Sequence, residues 1–451
     1  MSEPTEKTWV EEACARVADA PRFVPAGRVT RVIGQVVEAS SLPVVVGEIC
    51  RIAPQRRSAL LARAVGFHDR GILLMPLGEI EGIHPGAVVM PLGREFQARV
   101  GEALIGRVLD GLGRPIDNRG PLGSTTRRAL SSRRPNPLDR SRICSPLGTG
   151  VRAIDGLLTL GQGQRIGIMS GSGVGKSVLL GMIARNTNAD VNVIALLGER
   201  GREVREFIER DLGSEGLQRS VVVVSTSDEA AVVRATGALV ATAIAEYFRE
   251  TGRNVLLMMD SITRVAMAWR EIGLAVGEPP TTKGYPPSVF ASLPRLLERA
   301  GTARQGSITG LYTVLVEGDD FNEPVADAAR SILDGHVVLS RPLANVRHFP
   351  AIEVLESVSR VRDAVISRAH RDAANVVLRL LGIYRSHEDL IAVGAYRAGT
   401  DPEVDTAIRF REPIKAFLCQ DADEACRFEE AHGRVLALAQ EIQRGRPGSA
   451  A

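Results

Sequence analysis

Residues 170–177 read Ser170-Gly171-Ser172-Gly173-Val174-Gly175-Lys176-Ser177. They stand between an apolar run at 165–169 and a helix-like run that starts at Val178, which is the strand–loop–helix context of a phosphate-binding loop. Glycines let successive backbone N–H groups face one anion, Lys176 reaches the β- and γ-phosphates, and the Ser177 hydroxyl can ligate Mg²⁺. Ser170 replaces the usual first glycine, which is tolerable because the anion contacts come mainly from 173–177. The pattern predicts a nucleotide site with contacts from Gly171 to Val178, and the alternative is an ordinary glycine-rich turn.

Two carboxylates follow apolar strand-like runs further along the chain. Asp260 ends the run 255–259, where a carboxylate projecting from a buried strand can hold Mg²⁺ through its water shell. Glu199 ends the run 192–197, and a carboxylate there could orient and polarise the water that attacks a γ-phosphate. The alternative for Glu199 is a structural ion pair with Arg200 or Arg202.

Composition restricts the class of protein. The 451 residues are 44% hydrophobic and only 4% aromatic, so large cores are possible and a base-stacking surface is not favoured. The formal charge of +3 is too small to indicate nucleic acid by itself. Five scattered cysteines without a CxxC pair suggest free thiols in a reducing cytoplasm. The start, MSEPTEKTWVEE, has no signal-peptide pattern, and no uninterrupted apolar stretch has the length of a membrane span.

The spacing of apolar and turn residues along the chain predicts a multidomain α/β protein. Apolar residues at helical spacing predict an amphipathic N-terminal helix within 1–22, which could simply pack on its own domain. Short alternating runs with turn residues predict a β-barrel at 23–95. Apolar runs that alternate with helices predict a parallel α/β domain within 96–369. Residues 370–451 have no further strand-like runs, and their pattern predicts a helical domain with a frayed C-terminal tail.

A segment rich in proline, serine and arginine, 121–142, lies between the barrel and the phosphate-binding loop. Isolated charge runs usually face water, so we expect a solvated crossing segment rather than an anion- or lipid-binding patch. Its arginines are Arg127, Arg128, Arg133, Arg134, Arg140 and Arg142.

Longer motifs carry a family resemblance. The strings GSGVGKS, LLGERGREVREFIERDLG, DSITRVAMAWREIGLAVGEPP, GYPPSVFASLPRLLERAG and GSITGLYTVLVEGDDFNEPVADAARSILDGHVVLSR strongly resemble the export ATPases of bacterial type III secretion systems, particularly the flagellum-specific ATPase. The resemblance runs from about Gly27 to Gln420. That family is related to the catalytic β subunit of rotary ATP synthases, so the resemblance implies an N-terminal β-barrel, a central RecA-like P-loop domain and a C-terminal helical domain.

The resemblance assigns roles to the phosphate end of the site. Lys176 and Ser177 keep the phosphate and Mg²⁺ roles given above, and Glu199 matches the catalytic carboxylate of the family. Arg200 would touch the γ-phosphate. Asp260 matches the aspartate on the Mg²⁺ side, so ATP and Mg²⁺ are the implied ligands.

The resemblance also assigns residues that lie later in the chain. Arg360, in Ser357-Val-Ser-Arg360, matches the arginine finger that inserts into the neighbouring subunit's site. Phe349 occupies the position where related enzymes stack an aromatic side chain, usually tyrosine, on adenine. Phe428 is a candidate for a second aromatic side chain at the adenine. From the residues alone, Arg360 would be a surface ion pair and Phe349 a core residue.

An arginine finger supplied by a neighbour implies active sites between subunits, and the family forms homohexamers. The implied partners are a stator-like regulator dimer, a central stalk protein near the proline-rich loop 277–287, an export gate and chaperone–substrate complexes, with no nucleic acid. The resemblance places the protein in the cytoplasm, peripherally at the inner face of the membrane, where ATP hydrolysis promotes the release or unfolding of exported substrates.

Other classes remain as alternatives. A rotary synthase catalytic subunit would be expected to show a DELSEED-like segment, where this chain has Arg385-Ser-His-Glu-Asp-Leu-Ile391. A non-catalytic ring subunit would lack the carboxylate of Glu199, and an RNA translocase would need a stacking platform on the barrel. Injectisome relatives often carry AAxGGGKS-like loops, so GSGVGKS favours a flagellar system over an injectisome.

Overall fold

The computed structural model describes residues 13–14, 16–17, 25–53, 59–68, 71–131, 136–316 and 323–445. The chain divides into two units, Met1–Phe96 and Gln97–Ala451. The predicted N-terminal helix falls almost entirely outside the described residues. Ala13, Cys14, Arg16 and Val17 are described, and they are helical.

The first unit contains a closed six-stranded β-barrel. Its strands are β1 (Gly27–Ile33), β2 (Val36–Ser40), β3 (Glu48–Ala53), β4 (Leu60–His68), β5 (Gly71–Pro76) and β6 (Val88–Glu95), paired in the order β1-β2-β5-β4-β3-β6. Closure removes the sheet edges, and the inward residues, including Val37, Ile52 and Leu74, fill the interior. A barrel of short strands is what the alternating runs predicted.

The second unit is built on a nine-stranded sheet. Its central strands are buried except for one end residue in three of the four, as expected where helices cover both faces of a parallel sheet. The strands of this unit are β7 (Gln97–Val100), β8 (Val108–Asp110), β9 (Thr126–Ala129), β10 (Pro146–Leu147), β11 (Leu160–Gly161), β12 (Arg165–Ser170), β13 (Val191–Glu199), β14 (Ser220–Thr226), β15 (Asn254–Asp260), β16 (Gly301–Thr302), β17 (Ser307–Leu315), β18 (Gly335–Leu339) and β19 (Val358–Ser359). The main path of the large sheet runs β19-β18-β12-β17-β15-β13-β14-β8, and β16 pairs with β17. Two further two-stranded sheets are β7-β9 and β10-β11.

Helices cover this sheet and extend beyond it. They are α1 (Lys176–Asn186), α2 (Gly201–Glu206), α3 (Gly213–Gln218), α4 (Ala231–Glu250), α5 (Ile262–Ala275), α6 (Pro287–Leu297), α7 (Pro324–Ile332), α8 (Arg341–Asn345), α9 (Arg362–Val365), α10 (Arg368–Ala392), α11 (Pro402–Leu418) and α12 (Phe428–Arg444). In the described part of the chain, α4 is the one helix that is both long enough and apolar enough to cross a membrane. Within its apolar 18-residue window, 83% is buried, and the helix packs against β13, β14 and β15 as a core helix does.

The last three helices, α10 to α12, pack on one another and on the π-helical turn Ile154–Leu158. Their apolar residues join the core of the sheet, so Val377, Ile414 and Val435 belong to the same cluster as Ile166 of β12. The Asp401 carboxylate caps α11 by accepting from the Glu403 N–H at 2.8 Å. The predicted fold class, a β-barrel followed by an α/β domain and a helical region, is confirmed.

The crossing segment is less solvated than its sequence predicted. Arg128 forms a two-pronged ion pair with Glu250 at 2.6 and 2.7 Å, and Arg140 donates to the Ala300 carbonyl at 2.8 Å. Their side chains are only 21% and 22% exposed, so the solvated interpretation is wrong for these two residues. Their partners lie 122 and 160 residues further along the chain, beyond the reach of a local pattern. Arg127 and Arg142 are exposed as predicted, whereas Arg133 and Arg134 lie outside the described residues.

Candidate active site

Lys176, Glu199 and Asp260 meet at one edge of the parallel sheet. β12, β17, β15 and β13 are neighbours and run in the same direction, so their carboxyl ends lie side by side. β12 leads into the phosphate-binding loop, β13 ends at Glu199 and β15 ends at Asp260. Ligands of open α/β sheets bind at this edge, and the sheet order therefore assembles a site from segments far apart in sequence.

The phosphate-binding loop has the backbone that its glycines predict. Gly173 and Gly175 adopt positive φ angles of 76° and 90°, which side chains with a Cβ atom rarely tolerate. Nothing lies within 4 Å of a Cβ atom built on Gly173, so the concave face of the loop is open. Val174 is 1% exposed and anchors the loop in the core, while α1 begins at Lys176. The loop thus presents backbone N–H groups and a helix N-terminus to an anion.

Lys176 is the electrostatic centre of the site. Its ammonium lies 2.6 Å from Asp260 Oδ1 and 3.4 Å from Glu199 Oε1. Burial lowers the pKa of Lys176, but the two carboxylates outweigh burial and leave this pKa above its ordinary value. The side chain is 13% exposed, so a charged ammonium is held between two carboxylates in a largely dry site.

Asp260 is fixed by a neighbour that the sequence did not reveal. The Thr313 hydroxyl on β17 donates to Asp260 Oδ1 at 2.7 Å, and Lys176 contacts the same oxygen. Both contacts fall on Oδ1, so they leave the second carboxylate oxygen for water or a cation. Ser177 is exposed in the first turn of α1. A carboxylate and a hydroxyl beside an anion cradle are the oxygen donors that Mg²⁺ requires, so these residues fit the ion.

Glu199 has a second cationic neighbour, Arg264 of α5, whose guanidinium lies 3.5 Å from Glu199 Oε2. Among the described residues, no ion pair joins Glu199 to Arg200 or Arg202. The alternative, a structural ion pair with one of these two arginines, is therefore wrong. Arg264 was not predicted from the sequence, although Gly198 carries a signal for it.

Gly198 makes room for Arg264. It has a φ of 76°, and a Cβ atom built on it would lie 2.6 Å from Cδ and 3.0 Å from Cβ of Arg264. Such distances are well inside van der Waals contact, so a side chain at 198 would displace Arg264. A glycine immediately before a strand-terminal glutamate therefore indicates that another chain segment approaches closely.

We expect Gly198→Ala to lower ATP turnover by roughly ten- to a hundredfold, because small displacements of positioning groups have effects of this size. Steady-state kinetics of the purified chain would measure it. Gly201→Ala is the matched control, since nothing lies within 4 Å of a Cβ atom built there and its φ is not positive. Equal turnover of the Gly198→Ala variant and the parent would contradict the role given to this glycine.

The remaining predicted residues lie around this centre. Arg200 is 78% exposed and its guanidinium lies 3.6 Å from Glu203, so its contact with a γ-phosphate stays a prediction. The Phe349 ring lies 3.5 Å from a Cβ atom built on Gly175, which puts it beside the phosphate-binding loop. Phe349 is 37% exposed rather than a core residue. It is therefore available to stack on a base.

Phe428, the candidate for a second aromatic side chain, belongs to a different cluster. Its ring lies 6.0 Å from that of His370 and 6.5 Å from that of His432. Gln420, which follows α11, does reach Phe349: its backbone N–H donates to the Phe349 carbonyl at 2.9 Å. Nothing in the local sequence indicated this contact.

Arg360 lies at the opposite end of the sheet from the phosphate-binding loop of its own chain. Its N–H donates to the Asp334 carbonyl, and the Asp334 N–H donates to the carbonyl of Arg165, the first residue of β12. The loop follows Ser170 at the other end of β12, five residues or roughly 16 Å further along. The side chain is exposed and has no recorded ion pair among the described residues. An arginine side chain is much shorter than this separation.

Three family models match consecutive parts of the chain. They are the ATP synthase alpha/beta family beta-barrel domain at 29–93, the nucleotide-binding domain of the same family at 150–359, and the T3SS EscN ATPase C-terminal domain at 366–436. Their order agrees with the barrel, sheet and helices described above.

Curated proteins and solved structures agree with these matches. The flagellum-specific ATP synthase of Bacillus subtilis is 54% identical over 91% of this chain and 94% of its own length. The type 3 secretion system ATPase of Xanthomonas euvesicatoria is 50% identical over 94% and 96%. The assembled ATPase EscN of enteropathogenic Escherichia coli, solved with its central stalk EscO, has a TM-score of 0.85 and 45% identity and covers 92% of this chain and 100% of its own. The resemblance drawn from the motifs is thereby confirmed, and the chain belongs to the family of flagellum-specific and type III secretion system ATPases.

Proposed function

We propose that this protein hydrolyses MgATP at the edge of its parallel sheet. The observation that carries the proposal is the position of Lys176, which lies at the end of a glycine-lined phosphate cradle and between the carboxylates of Glu199 and Asp260. The Lys176 ammonium is held between two carboxylates beside an anion-binding loop. It can therefore replace its contact with one carboxylate by a contact with a phosphate group. Phosphoryl transfer needs positioning and charge stabilisation, which these groups supply.

Each residue has a definite task in this proposal. The backbone N–H groups of 173–177 and the Lys176 ammonium bind the β- and γ-phosphates. Ser177 and Asp260 hold Mg²⁺, which when bound neutralises charge on the phosphate oxygens. Glu199 accepts a hydrogen bond from the attacking water and orients it towards phosphorus. Phe349 stacks on adenine, and Arg200 contacts the γ-phosphate.

The catalytic site is completed by a neighbouring subunit. Arg360 lies at the end of the sheet opposite its own phosphate-binding loop, so we propose that it enters the site of the next copy in a homohexameric ring. One chain then carries both halves of the site, as a closed ring of identical subunits requires. The solved relative EscN, which is assembled and bound to a central stalk, supports this arrangement.

In the cell, the ring drives protein export at the cytoplasmic base of a flagellar type III apparatus. Its partners are a central stalk, a stator-like dimer that contacts the N-terminal segment, an export gate and chaperone–substrate complexes, and it binds the membrane peripherally. An injectisome is the second candidate, because a relative from Xanthomonas named for type 3 secretion is nearly as similar as the flagellar one.

Two experiments test the proposal at its two levels. Purified protein should release phosphate from MgATP, and Lys176→Ala should lose both nucleotide binding and turnover. A chain that binds no MgATP would overturn the enzymatic proposal. Expression in a flagellar export-ATPase deletion strain and in an injectisome deletion strain then separates the two systems, since restored motility supports the first and restored secretion alone supports the second.

A further inference from the structure

A buried glutamine, Gln420, joins three segments around the base-binding end of the site. It follows α11 and is 5% exposed. Its side-chain oxygen accepts from the Arg152 N–H at 2.8 Å, and its side-chain nitrogen donates to the carbonyls of Gly150 and Glu424, both at 2.8 Å. Its backbone N–H donates to the Phe349 carbonyl at 2.9 Å. One residue thus hydrogen-bonds the segment before β12, the segment that carries Phe349, and the loop that leads to α12.

The segment held by the Gln420 side chain is itself tied to the phosphate-binding helix. A Cβ atom built on Gly150 would lie 2.2 Å from that of Asn186, the last residue of α1. The neighbouring Gly148 N–H donates to the Asn188 side chain at 3.1 Å. Gln420 therefore contacts a backbone that packs directly against the end of α1, whose first residue is Lys176.

The loop after Gln420 is held at two further points. Arg152 pairs with Glu424 and donates to the Cys419 carbonyl and, at 3.1 Å, to the Phe417 carbonyl. Arg185, in the last turn of α1, donates to the Ala422 carbonyl at 2.6 Å. Both guanidinium groups donate to backbone carbonyls of this loop, and Arg152 also pairs with the Glu424 carboxylate. The loop from 419 to 424 therefore links α1, through Arg185, to the helical region.

The fourth contact reaches the aromatic side chain. The Phe349 ring lies 3.5 Å from a Cβ atom built on Gly175. The Phe349 carbonyl accepts a hydrogen bond from the Gln420 N–H. The ring is exposed enough to meet a ligand, yet its backbone is held by Gln420, which follows α11. The helical region therefore determines where this ring stands relative to the phosphate cradle.

We propose that Gln420 is the positioning residue of the nucleoside subsite: it fixes the Phe349 ring at the base distance from the phosphate cradle and couples that distance to the placement of the C-terminal helices. The inference rests on the proposed function, because it takes the ligand to be a nucleotide held by Lys176. A movement of α11 or of the loop after it would shift Phe349 and change affinity for the nucleoside part of the ligand, without altering the groups that act on the γ-phosphate.

The first test separates the nucleoside from the phosphates. In Gln420→Ala the carbonyl of Gly150 and the N–H of Arg152 lose their partners, so the ring position relaxes. We expect the Kd for MgADP and the KM for MgATP to rise on the order of tenfold, with kcat within about twofold of the parent, as for loss of binding that is uniform along the reaction. The affinity for inorganic tripolyphosphate, which lacks a nucleoside, should stay unchanged. Equal weakening of both ligands, or of neither, would overturn the inference.

A buried amide elsewhere provides the matched control. Asn192 is fully buried at the start of β13, and its side chain donates to the Ala184 carbonyl at 2.8 Å and to the Ser220 hydroxyl at 3.3 Å. Asn192→Ala should lower thermal stability as Gln420→Ala does, yet leave MgADP affinity at the parent value. A comparable loss of MgADP affinity in Asn192→Ala would show that general loosening of the fold explains the effect.

Gln420→Glu tests the hydrogen bonds themselves and does not depend on the alanine variant being folded. The carboxylate keeps the acceptor for Arg152 but turns two donors into acceptors opposite the carbonyls of Gly150 and Glu424. Protonation restores one donor, so the ratio of variant to parent Kd for MgADP should fall towards one between pH 8 and pH 6. A constant ratio would contradict the role. Should the parent chain bind no MgADP at all, the proposed function fails instead, so the two failures are distinguishable.

Discussion

Replacing Glu199 by glutamine is expected to lower ATP turnover by roughly 10²-fold or more, while MgATP binding stays near the parent value. The reason is the placement of this carboxylate at the end of β13, 3.4 Å from Lys176 and 3.5 Å from Arg264. Glutamine keeps the shape and the hydrogen-bonding reach, so the phosphate cradle should remain. It cannot accept the proton or polarise the attacking water as a carboxylate does, so the chemical step slows.

Single-turnover and equilibrium binding measurements separate these two effects. Glu206→Gln is the matched control, because Glu206 is exposed on α2, pairs with Arg210 at 3.3 Å and does not contact the site. That variant should turn over at the parent rate. If Glu199→Gln did so as well, Glu199 would be a structural partner of Lys176 and Arg264 and the attacking water would be oriented by another group.

The parts of this site that the sequence predicted are those encoded by adjacent residues. The phosphate-binding loop is contiguous, and Glu199 and Asp260 are recognisable because each follows a short apolar run that is typical of a buried strand. Their meeting at one sheet edge follows from parallel pairing. The cradle and both acids could therefore be predicted together with their chemistry.

The parts that it missed depend on which segments become neighbours in space. Thr313 reaches Asp260 because β17 lies beside β15, and Arg264 reaches Glu199 because Gly198 leaves space for α5 to approach. Gln420 reaches Phe349 across 71 positions of the chain, the difference between the two residue numbers. Hydrophobic periodicity specifies which residues are buried, but it does not specify the partner of a polar side chain. The prediction that Arg128 faces water was wrong for the same reason, because a local run of charges does not indicate an ion pair with the distant Glu250.

Replacing Arg360 by alanine is expected to lower turnover on the order of 10³-fold, the size of effect that arginine fingers have in phosphoryl transfer. The guanidinium stabilises charge that develops on the transferred phosphoryl group, so nucleotide affinity should change much less than turnover. Arg368→Ala is the control, because Arg368 is an exposed arginine nearby in sequence, 3.7 Å from Asp372 on the same helix. That substitution should leave turnover at the parent value.

The geometry makes a stronger prediction about which site Arg360 serves. It lies level with the start of β12, roughly 16 Å from the strand end that leads into its own phosphate-binding loop, so its effect should cross a subunit interface. Arg360→Ala and Lys176→Ala chains should each be inactive alone, and mixing them should restore activity. In randomly mixed rings about a quarter of the interfaces would combine an intact Lys176 with an intact Arg360 from the next subunit. Because every interface of each pure variant lacks one of the two groups, recovered phosphate release can come only from mixed interfaces. Co-assembly shown by differently tagged chains, without any recovered activity, would mean that Arg360 and Lys176 must act within one chain.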